Sequence, residues 1–489
     1  MRRRNQKVDG NMIEQRYISI DLGAESGRVM LARVGENGIF LEEIQRFSNG
    51  PVAAAGTLYW DILRLWQEIQ TGIAKITAEN PAIAGIGIDS WGVDFGLVDA
   101  RGQLLANPVH YRDRRTAGLP DKFFARMPRE KVFAISGIQT MELNTLFQLL
   151  ALKQQSPAML DQAQWLLFIP DLIAYWLTGR AANEYTIAST SQMLDAKTRQ
   201  WPSEILAAIG ISPALFPPML LPGRPNCNFG PVQDAPGQAI KATGVPVLAV
   251  GSHDTASAVA AVPASGEDWL FLSSGTWSLL GAEIPAPVLT PAALHYNVTN
   301  EGGVGGRIRL LKNIPGLWLL QECRRAWAAQ GKEFDYKTLV QLAREAPANL
   351  ARLDLEDPAF LVPGNMPVKI AAQCRQTSQK VPETPGQFAR IILESLAVRY
   401  AQVAAMLAEL TGRTFRTLHI VGGGSQNELL CQLAADATGL TVQAGPVEAT
   451  ALGNALAQAM ATGQIASLDE GRQLVAKTAQ VRTYRPHRT

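Results

Sequence analysis

Three short apolar-rich runs stand near the start of the chain, Tyr17–Ile20, Gly27–Arg33 and Ile39–Phe47. Short apolar runs bounded by turn residues read as strands. Gly35-Glu36-Asn37-Gly38, between the last two runs, reads as a hairpin turn. The pattern then changes. Ile62, Leu65, Trp66, Ile69, Ile73 and Ile76 recur at helical spacing and predict a helix over Ile62–Ala78. Strands follow at Ala84–Ile88 and Gly96–Asp99. Three strands, a helix and a strand open a mixed sheet covered by helices. From about Asp113 to Pro225 the pattern is mostly helical and broken by prolines, and Pro213–Pro225 reads as a long loop.

After a strand at Val245–Val250 the scheme starts again. Trp269–Leu272 and Trp277–Ala282 are two strands joined by the small residues Ser273-Ser274-Gly275-Thr276. Strands at Leu294–Val298 and Arg307–Leu311 precede a helix over Leu317–Ala329. A long amphipathic helix, Pro385–Leu410, leads to a strand at Thr417–Val421 and then Gly422-Gly423-Gly424. Helix Asn427–Thr438, strand Thr441–Ala444 and helix Ala449–Thr462 complete the pattern. The halves read as diverged copies of one α/β unit. One core stops growing near roughly 250–300 residues, so a chain of 489 residues is expected to form two domains, 15–247 and 248–489.

Composition narrows the class. Hydrophobic residues make up 47% and charged residues 18%, as in an ordinary globular protein. A net charge of +2, with no basic face carrying interleaved aromatics, argues against a nucleic-acid partner. Cys227, Cys323, Cys374 and Cys431 lack metal-like spacing and fit free thiols in a reducing cytoplasm. Met1–Lys7 is basic, but no apolar run follows it as in a signal peptide. Residues 1–14 are expected to be a disordered extension. No apolar run approaches the roughly 18 residues of a membrane span.

The chemistry begins at Ile20-Asp21-Leu22-Gly23-Ala24-Glu25-Ser26-Gly27-Arg28. An apolar strand runs into an acid, then a glycine-bearing turn with a hydroxyl and a cation, then a second strand. Turn glycines let backbone N–H groups crowd together and point one way, which makes an anion cradle. An Asp at the strand end can order hydrated Mg²⁺ beside phosphates, or simply cap the turn. An ordinary type I′ hairpin also favours glycine and acidic residues, so both readings stand on this segment alone.

A set of motifs in fixed order settles more: IDLGAESGR, IDSWGVDF, NEYTIASTSQML, SHDTASAV, FLSSGTWSLL, NEGG, LKNIPGLWLLQE, HIVGGGSQN and GPVEATALGNA. Together they resemble the FGGY family of carbohydrate kinases, over about Tyr17 to Thr462. The resemblance implies two ribonuclease-H-like (actin-like ATPase) α/β domains with an interdomain cleft, and transfer of phosphate from ATP, with Mg²⁺, to the C1 hydroxyl of a ketose. IDSWGVDF, SSGTWSL and KNIPGLWLLQ favour L-rhamnulose as that ketose, with L-fuculose or L-xylulose as alternatives.

The resemblance also assigns residues. Asp254 is the expected proton acceptor, although its position before the helical stretch Ala256–Ala261 also suits an N-cap. Ala24, Glu25, Ser26, Gly27 and Arg28 form the expected first phosphate turn, and Arg28 could equally be a solvated side chain. Thr276 is the expected second phosphate contact. Gly423 is placed closest to adenosine and Gln321 at a nucleotide-contacting position, unless it is a surface helix residue. Asp21 is assigned to Mg²⁺ through water. Gly92, His253, Asp254, Thr255 and Asn313 are assigned to the sugar, with a core imidazole and a turn residue as the plainer readings of His253 and Asn313. Trp91 is either an apolar wall for a deoxy-sugar methyl group or core. A rival from another class, a chaperone-type nucleotide switch, would need a peptide-binding region, and only about 27 residues follow Thr462. The partners expected are ATP and a small ketose, with no nucleic acid and no membrane, in a monomer or weak homo-oligomer.

Overall fold

The computed structural model describes residues 7–8, 11–80, 82–234 and 240–487. The chain divides into two compact units that interleave in sequence. The first comprises Met1–Ser265, Glu283–Leu310 and Ala449–Ala479; the second comprises Gly266–Ala282, Leu311–Glu448 and Gln480–Thr489. The division therefore differs from two contiguous halves cut at 247/248. Helix Ala449–Ala461 packs on the first unit's sheet rather than on the strands that precede it in sequence.

In the first unit, β1 (Gln15–Leu22), β2 (Ser26–Gly35), β3 (Gly38–Ser48), β4 (Gly85–Ser90), β5 (Asn228–Pro231) and β6 (Pro246–Leu248) stand in the order β5-β6-β4-β1-β2-β3. β1, β2 and β3 are antiparallel neighbours, while β4 runs parallel to β1 and β6 parallel to β4. Helix Ile62–Glu79 starts at Asp61, whose side chain accepts from the Arg64 N–H. Its buried stripe, Leu65, Ile69, Ile73 and Ile76, packs with Ile18, Ile20, Val29 and Leu31 of the sheet. A second core, including Phe123, Phe147, Phe168, Tyr185 and Ile187, fills the helical stretch between β4 and β5. The strand Phe95–Val98 leaves the main sheet and pairs instead with Trp165–Phe168.

The second unit repeats the plan. β7 (Trp269–Ser274), β8 (Trp277–Ile284), β9 (Ile308–Pro315), β10 (Thr417–Val421), β11 (Thr441–Ala444) and β12 (Arg482–Tyr484) run β9-β8-β7-β10-β11-β12. β7 and β8 are antiparallel, and β10 and β11 are parallel to the strand before them in the order. This is the ribonuclease-H-like arrangement expected from the sequence, made twice. Helix Pro385–Thr411 opens on a capping box formed by Thr384 and Gln387. By length and composition it could cross a membrane, contrary to the expectation that no run is long enough, but Phe388, Ile391, Leu396 and Tyr400 are buried inside the unit.

Two other expectations change. Leu294–Val298 is not a strand: Thr290 caps a helix, Pro291–Tyr296, which ends at a left-handed Asn297, and the strand follows at Thr299–Gly302. A proline at the first helical turn favours the helix over the apolar pattern. Of the expected disordered extension, Lys7–Val8 and Asn11–Met12 pair antiparallel, and residues 1–6 and 9–10 lie outside the described residues.

Candidate active site

Strand register lays one row of charge across the first unit's sheet. Arg46, Arg28, Asp21 and Asp89 stand directly opposite one another on β3, β2, β1 and β4. Side chains opposite each other in a ladder share a face, so two cations run into two carboxylates. Asp21 is half-buried, and loss of hydration pushes its carboxyl up to about 6 against the pull of Arg28 and Arg46. Asp89 is fully buried. Burial first, and the neighbouring Asp21 charge next, hold its carboxyl well above the usual range. Asn454 donates to its Oδ2 at 2.6 Å, no donor reaches its Oδ1, and Asp21 is its register partner on β1.

The turn after β1 is built for packing as much as for phosphate. Gly23 N–H donates to Ser26 O at 2.9 Å, and Asn49 clamps the turn through Glu25 O and Gly23 O, both at 2.8 Å. Neither glycine has positive φ. An ideal Cβ at Gly27 would lie 2.2 Å from the Phe47 ring, so glycine is needed there to admit the ring. Ala24, Glu25, Ser26 and Arg28 remain partly accessible around this turn.

At the end of β4 the chain passes Trp91 and Gly92 to Val93, which holds φ 70°, a costly conformation for a β-branched residue. Thr190 accepts from Val93 N–H at 3.1 Å, and Thr145 donates to Val93 O at 2.7 Å. A Cβ on Gly92 would meet Thr190 at 3.2 Å. Trp91 is 5% exposed and stacks on Trp60 with centroids 4.0 Å apart, so it is core rather than a sugar wall. Asp94 collects donors from Trp60 (2.6 Å), Trp91 (3.1 Å), Tyr111 (3.2 Å) and Gln148 (2.8 Å) and locks this corner.

Ser252 and His253 lie beside β4, where Ser90 N–H donates to Ser252 O at 2.8 Å. Glu184 pins them from the other side. Its Oε2 accepts from Ser252 N–H at 3.2 Å, and Thr186, whose hydroxyl donates to Glu184, accepts from His253 N–H at 3.1 Å. Asp254 then opens the short helix Asp254–Ala260 with its side chain 31% exposed. His253 holds the capping position, so Asp254 is not the N-cap. Thr255 N–H (2.5 Å), Thr255 Oγ1 (3.1 Å) and His253 Nε2 (3.4 Å) all address Asp254 Oδ1. None of these contacts uses Oδ2. Thr255 thus acts on Asp254 through its hydroxyl, and His253 is a buried imidazole with partners at both nitrogens.

In the second unit Thr276 and Gln321 come together, with Gln321 Nε2 3.4 Å from Thr276 Oγ1. Gly316 and Trp318 N–H groups bind Thr276 O at 3.1 and 3.2 Å, which fastens the helix Trp318–Ala328 to this turn. The three glycines after β10 differ in purpose. Cβ atoms at Gly422 and Gly424 would strike Ser274, at 3.1 Å and 2.0 Å, whereas Gly423 faces open space. Asn313 lies on β9 in this unit, apart in the chain from the other sugar assignments in the first unit. Sequence reasoning did not single out Asp89, Glu184, Glu301, Arg309 or Asn454, although four of them stand inside or beside the family motifs.

Several buried carboxyls share one signature. Burial pushes Asp94 up to about 6 and Glu184 up to about 7, and raises Asp171 well above the usual range. A carboxyl whose pKa is higher folded than unfolded binds its proton more tightly in the folded state. Its contribution is therefore full below the unfolded pKa and is lost as pH rises through the folded value. The unliganded protein is expected to have a higher Tm at pH 5.5 than at pH 8, falling mainly between pH 6 and 7. Each tenfold gain in a carboxyl's proton affinity on folding is worth about 1.4 kcal/mol. A Tm that is flat or rising across that window, followed by calorimetry, would contradict these assignments.

Residues 16–261 match the N-terminal domain, and residues 270–462 the C-terminal domain, of the FGGY family of carbohydrate kinases. A rhamnulokinase of Bacteroides thetaiotaomicron is 44% identical over 474 residues, covering 97% of this chain and 96% of that protein. A rhamnulokinase of Enterococcus faecalis is 43% identical, covering 96% of this chain and 94% of that one. Among solved structures, xylulose kinase from Rhodospirillum rubrum superposes with a TM-score of 0.75 at 19% identity over 97% of this chain and 94% of that chain. Plasmodium falciparum glycerol kinase with ADP does so at 0.75 and 17%, over 96% and 94%.

Proposed function

This chain belongs to the FGGY family of carbohydrate kinases, and on that premise we propose that it transfers the γ-phosphoryl group of ATP to the C1 hydroxyl of L-rhamnulose, giving L-rhamnulose 1-phosphate and ADP in L-rhamnose catabolism. The observation that carries the chemistry is the asymmetry of Asp254, whose Oδ1 receives two hydrogen bonds from Thr255 and lies 3.4 Å from His253 Nε2, while none of these contacts uses Oδ2.

The step asks mainly for positioning and charge neutralisation. The ketose hydroxyl approaches Asp254 Oδ2 and gives up its proton there as its oxygen attacks the γ-phosphorus. The bond from that phosphorus to the β,γ-bridging oxygen breaks, and ADP leaves. Arg28 and the turn from Ala24 to Gly27 are suited to meeting phosphate charge in the first unit, as are Thr276 and its turn in the second. Gly423, with open space before it, suits close approach of the adenosine. Among the described residues no cluster of three or more ligands could hold a bare metal ion. The half-buried Asp21, beside the undonated Oδ1 of Asp89, fits an acid that holds Mg²⁺ through water. Bound there, Mg²⁺ would neutralise charge on the phosphates. We place the enzyme in the cytoplasm, as a monomer or weak homo-oligomer.

ADP release measured across a panel of ketoses tests the substrate. L-Rhamnulose is expected to give the highest kcat/KM, and preference for L-fuculose or L-xylulose would overturn that choice while leaving the family reaction intact. ATP hydrolysis without sugar is expected to run far below the sugar-stimulated rate, and equal rates would argue for a nucleotide-driven switch.

The glycine loop gives a sharper test of the nucleotide site. Gly423→Ala adds a methyl group to open space and is expected to change stability by less than about 0.5 kcal/mol, while raising the KM for ATP. Gly424→Ala drives a Cβ into Ser274 and is expected to cost about 1–3 kcal/mol. If the two variants traded these effects in parallel Tm and ATP-titration measurements, the loop would have been misread.

A further inference from the structure

His253 stands between the base and two buried charges. Its Nε2 lies 3.4 Å from Asp254 Oδ1, and its Nδ1 lies 3.2 Å from Glu301 Oε2 and 3.0 Å from Arg309 Nη2. Arg309 is fully buried, and Glu301 is 4% exposed. The guanidinium is fixed by its Nε–H bond to Gly302 O at 2.8 Å and by Glu301 Oε2 at 3.1 Å from Nη2.

These contacts constrain the proton on the ring. A guanidinium donates and never accepts, and a neutral imidazole has one N–H and one lone pair. With the proton on Nδ1, that N–H would gain Glu301 Oε2 at 3.2 Å, but it would meet the Arg309 N–H head-on at 3.0 Å, and the bare Nε2 would face the Asp254 carboxylate. With the proton on Nε2, the Arg309 hydrogen bond to Nδ1 and the approach of Nε2 to Asp254 are both complementary. Arg309 Nη2 donates to His253 Nδ1 at 3.0 Å while its charge lies 3.1 Å from Glu301 Oε2, and Nε2–H is on the Asp254 side of the ring, 3.4 Å from Oδ1. The partner of one ring nitrogen decides which tautomer the other presents.

We propose that Arg309, aimed by Glu301, selects the Nε2–H tautomer of His253 and through it holds Asp254 with Oδ2 turned to the substrate. Arg309 and Glu301 are then positioning residues, since neither touches the reacting atoms. The inference rests on the reading of Asp254 as the base of a ketose kinase.

The test is nitrogen NMR of the full chain at pH 7 with ¹⁵N-labelled histidine, of which the chain has five. The His253 signals are identified by their loss in His253→Gln. In the unaltered protein Nε2 is expected to be protonated and Nδ1 bare. Proton occupancy of Nδ1, whether as the other neutral tautomer or as imidazolium, would overturn the proposal without any variant having to fold. Arg309→Met is expected to move the proton to Nδ1 at least in part and to lower kcat by about 10–100-fold, with the KM for ATP changed less than twofold. Arg309→Gln keeps an N–H donor and is expected to retain the Nε2–H tautomer. An unchanged tautomer in Arg309→Met would overturn the role given to Arg309. Because the spectrum is read without turnover, it separates from the base assignment. A fully active Asp254→Asn variant with an intact Nε2–H tautomer would sink the base and leave the arginine's hold on the ring standing.

Discussion

Asp254→Asn is expected to lower kcat by about 10²–10⁴ while leaving the Tm and ATP binding unchanged. The substitution keeps the shape of the side chain. Its amide oxygen can still accept from Thr255 N–H and Thr255 Oγ1, the two hydrogen bonds that fix the present Oδ1, with His253 Nε2 alongside at 3.4 Å. What disappears is the second oxygen's ability to take a proton. An amide NH₂ placed there would face the ketose hydroxyl as a donor, so the nucleophile would have to lose its proton to water. The asparagine is not buried deeply enough to leave an expensive unpaired group, because the side chain at this position is 31% exposed. Rapid-mixing measurement of the phosphoryl-transfer step, together with a thermal melt and an ATP titration, separates the cases. Near-normal turnover would remove Asp254 from the chemistry, whereas a lower Tm or lost ATP binding would assign it a structural role.

Gly453→Ala is expected to cost about 2–3 kcal/mol of stability and about 10²-fold in kcat, although Gly453 touches no substrate. Helix Ala449–Ala461 crosses helix Asp254–Ala260 so closely that an ideal Cβ on Gly453 would lie 1.7 Å from Ser257 O and 2.5 Å from its carbonyl carbon. Both atoms are backbone, so no rotamer change relieves the clash, and one helix must move off the other. The helix that would move begins at Asp254, so the base would be displaced with it. The other helix carries Asn454, which donates to Asp89, and Gln458, which donates to Ile18 O at 3.0 Å on β1. Separating the helices therefore also disturbs the Asp89 end of the charged row and the strand that carries Asp21. Chemical denaturation and single-turnover kinetics on the same variant test the argument. Wild-type values in both would mean that this close crossing does not exist in the folded protein.

Local pattern made most of the fold legible. Short apolar runs between turn residues placed β1, β2, β3, β7, β8, β10 and β11 within a few residues, and the stripe from Ile62 to Ile76 placed the first helix. Leu294–Val298 failed because a proline at the first helical turn and a capping threonine outweigh a short apolar run. The membership of helix Ala449–Ala461 was also hidden. Its apolar face says that it packs, but its partner strands lie some 360–440 residues earlier, and local pattern carries no information at that range.

The sequence by itself determined two copies of one α/β plan, the family, and which acid, glycines and hydroxyl residues stand in the family's motifs. Those follow from short-range periodicity and from motifs read in order. Only the tertiary structure decided what each residue is for. Gly27 admits the Phe47 ring, Gly453 admits a helix, and Gly423 alone of its three glycines faces open space. Trp91 is core, and Thr255 serves Asp254. The buried pair Glu301 and Arg309, with Glu184, determines how His253 and Asp254 are held. The physical reason is that charge and hydrogen bonding act over about 3 Å in space. Which groups come that close depends on strand register and helix crossing, not on their neighbours along the chain.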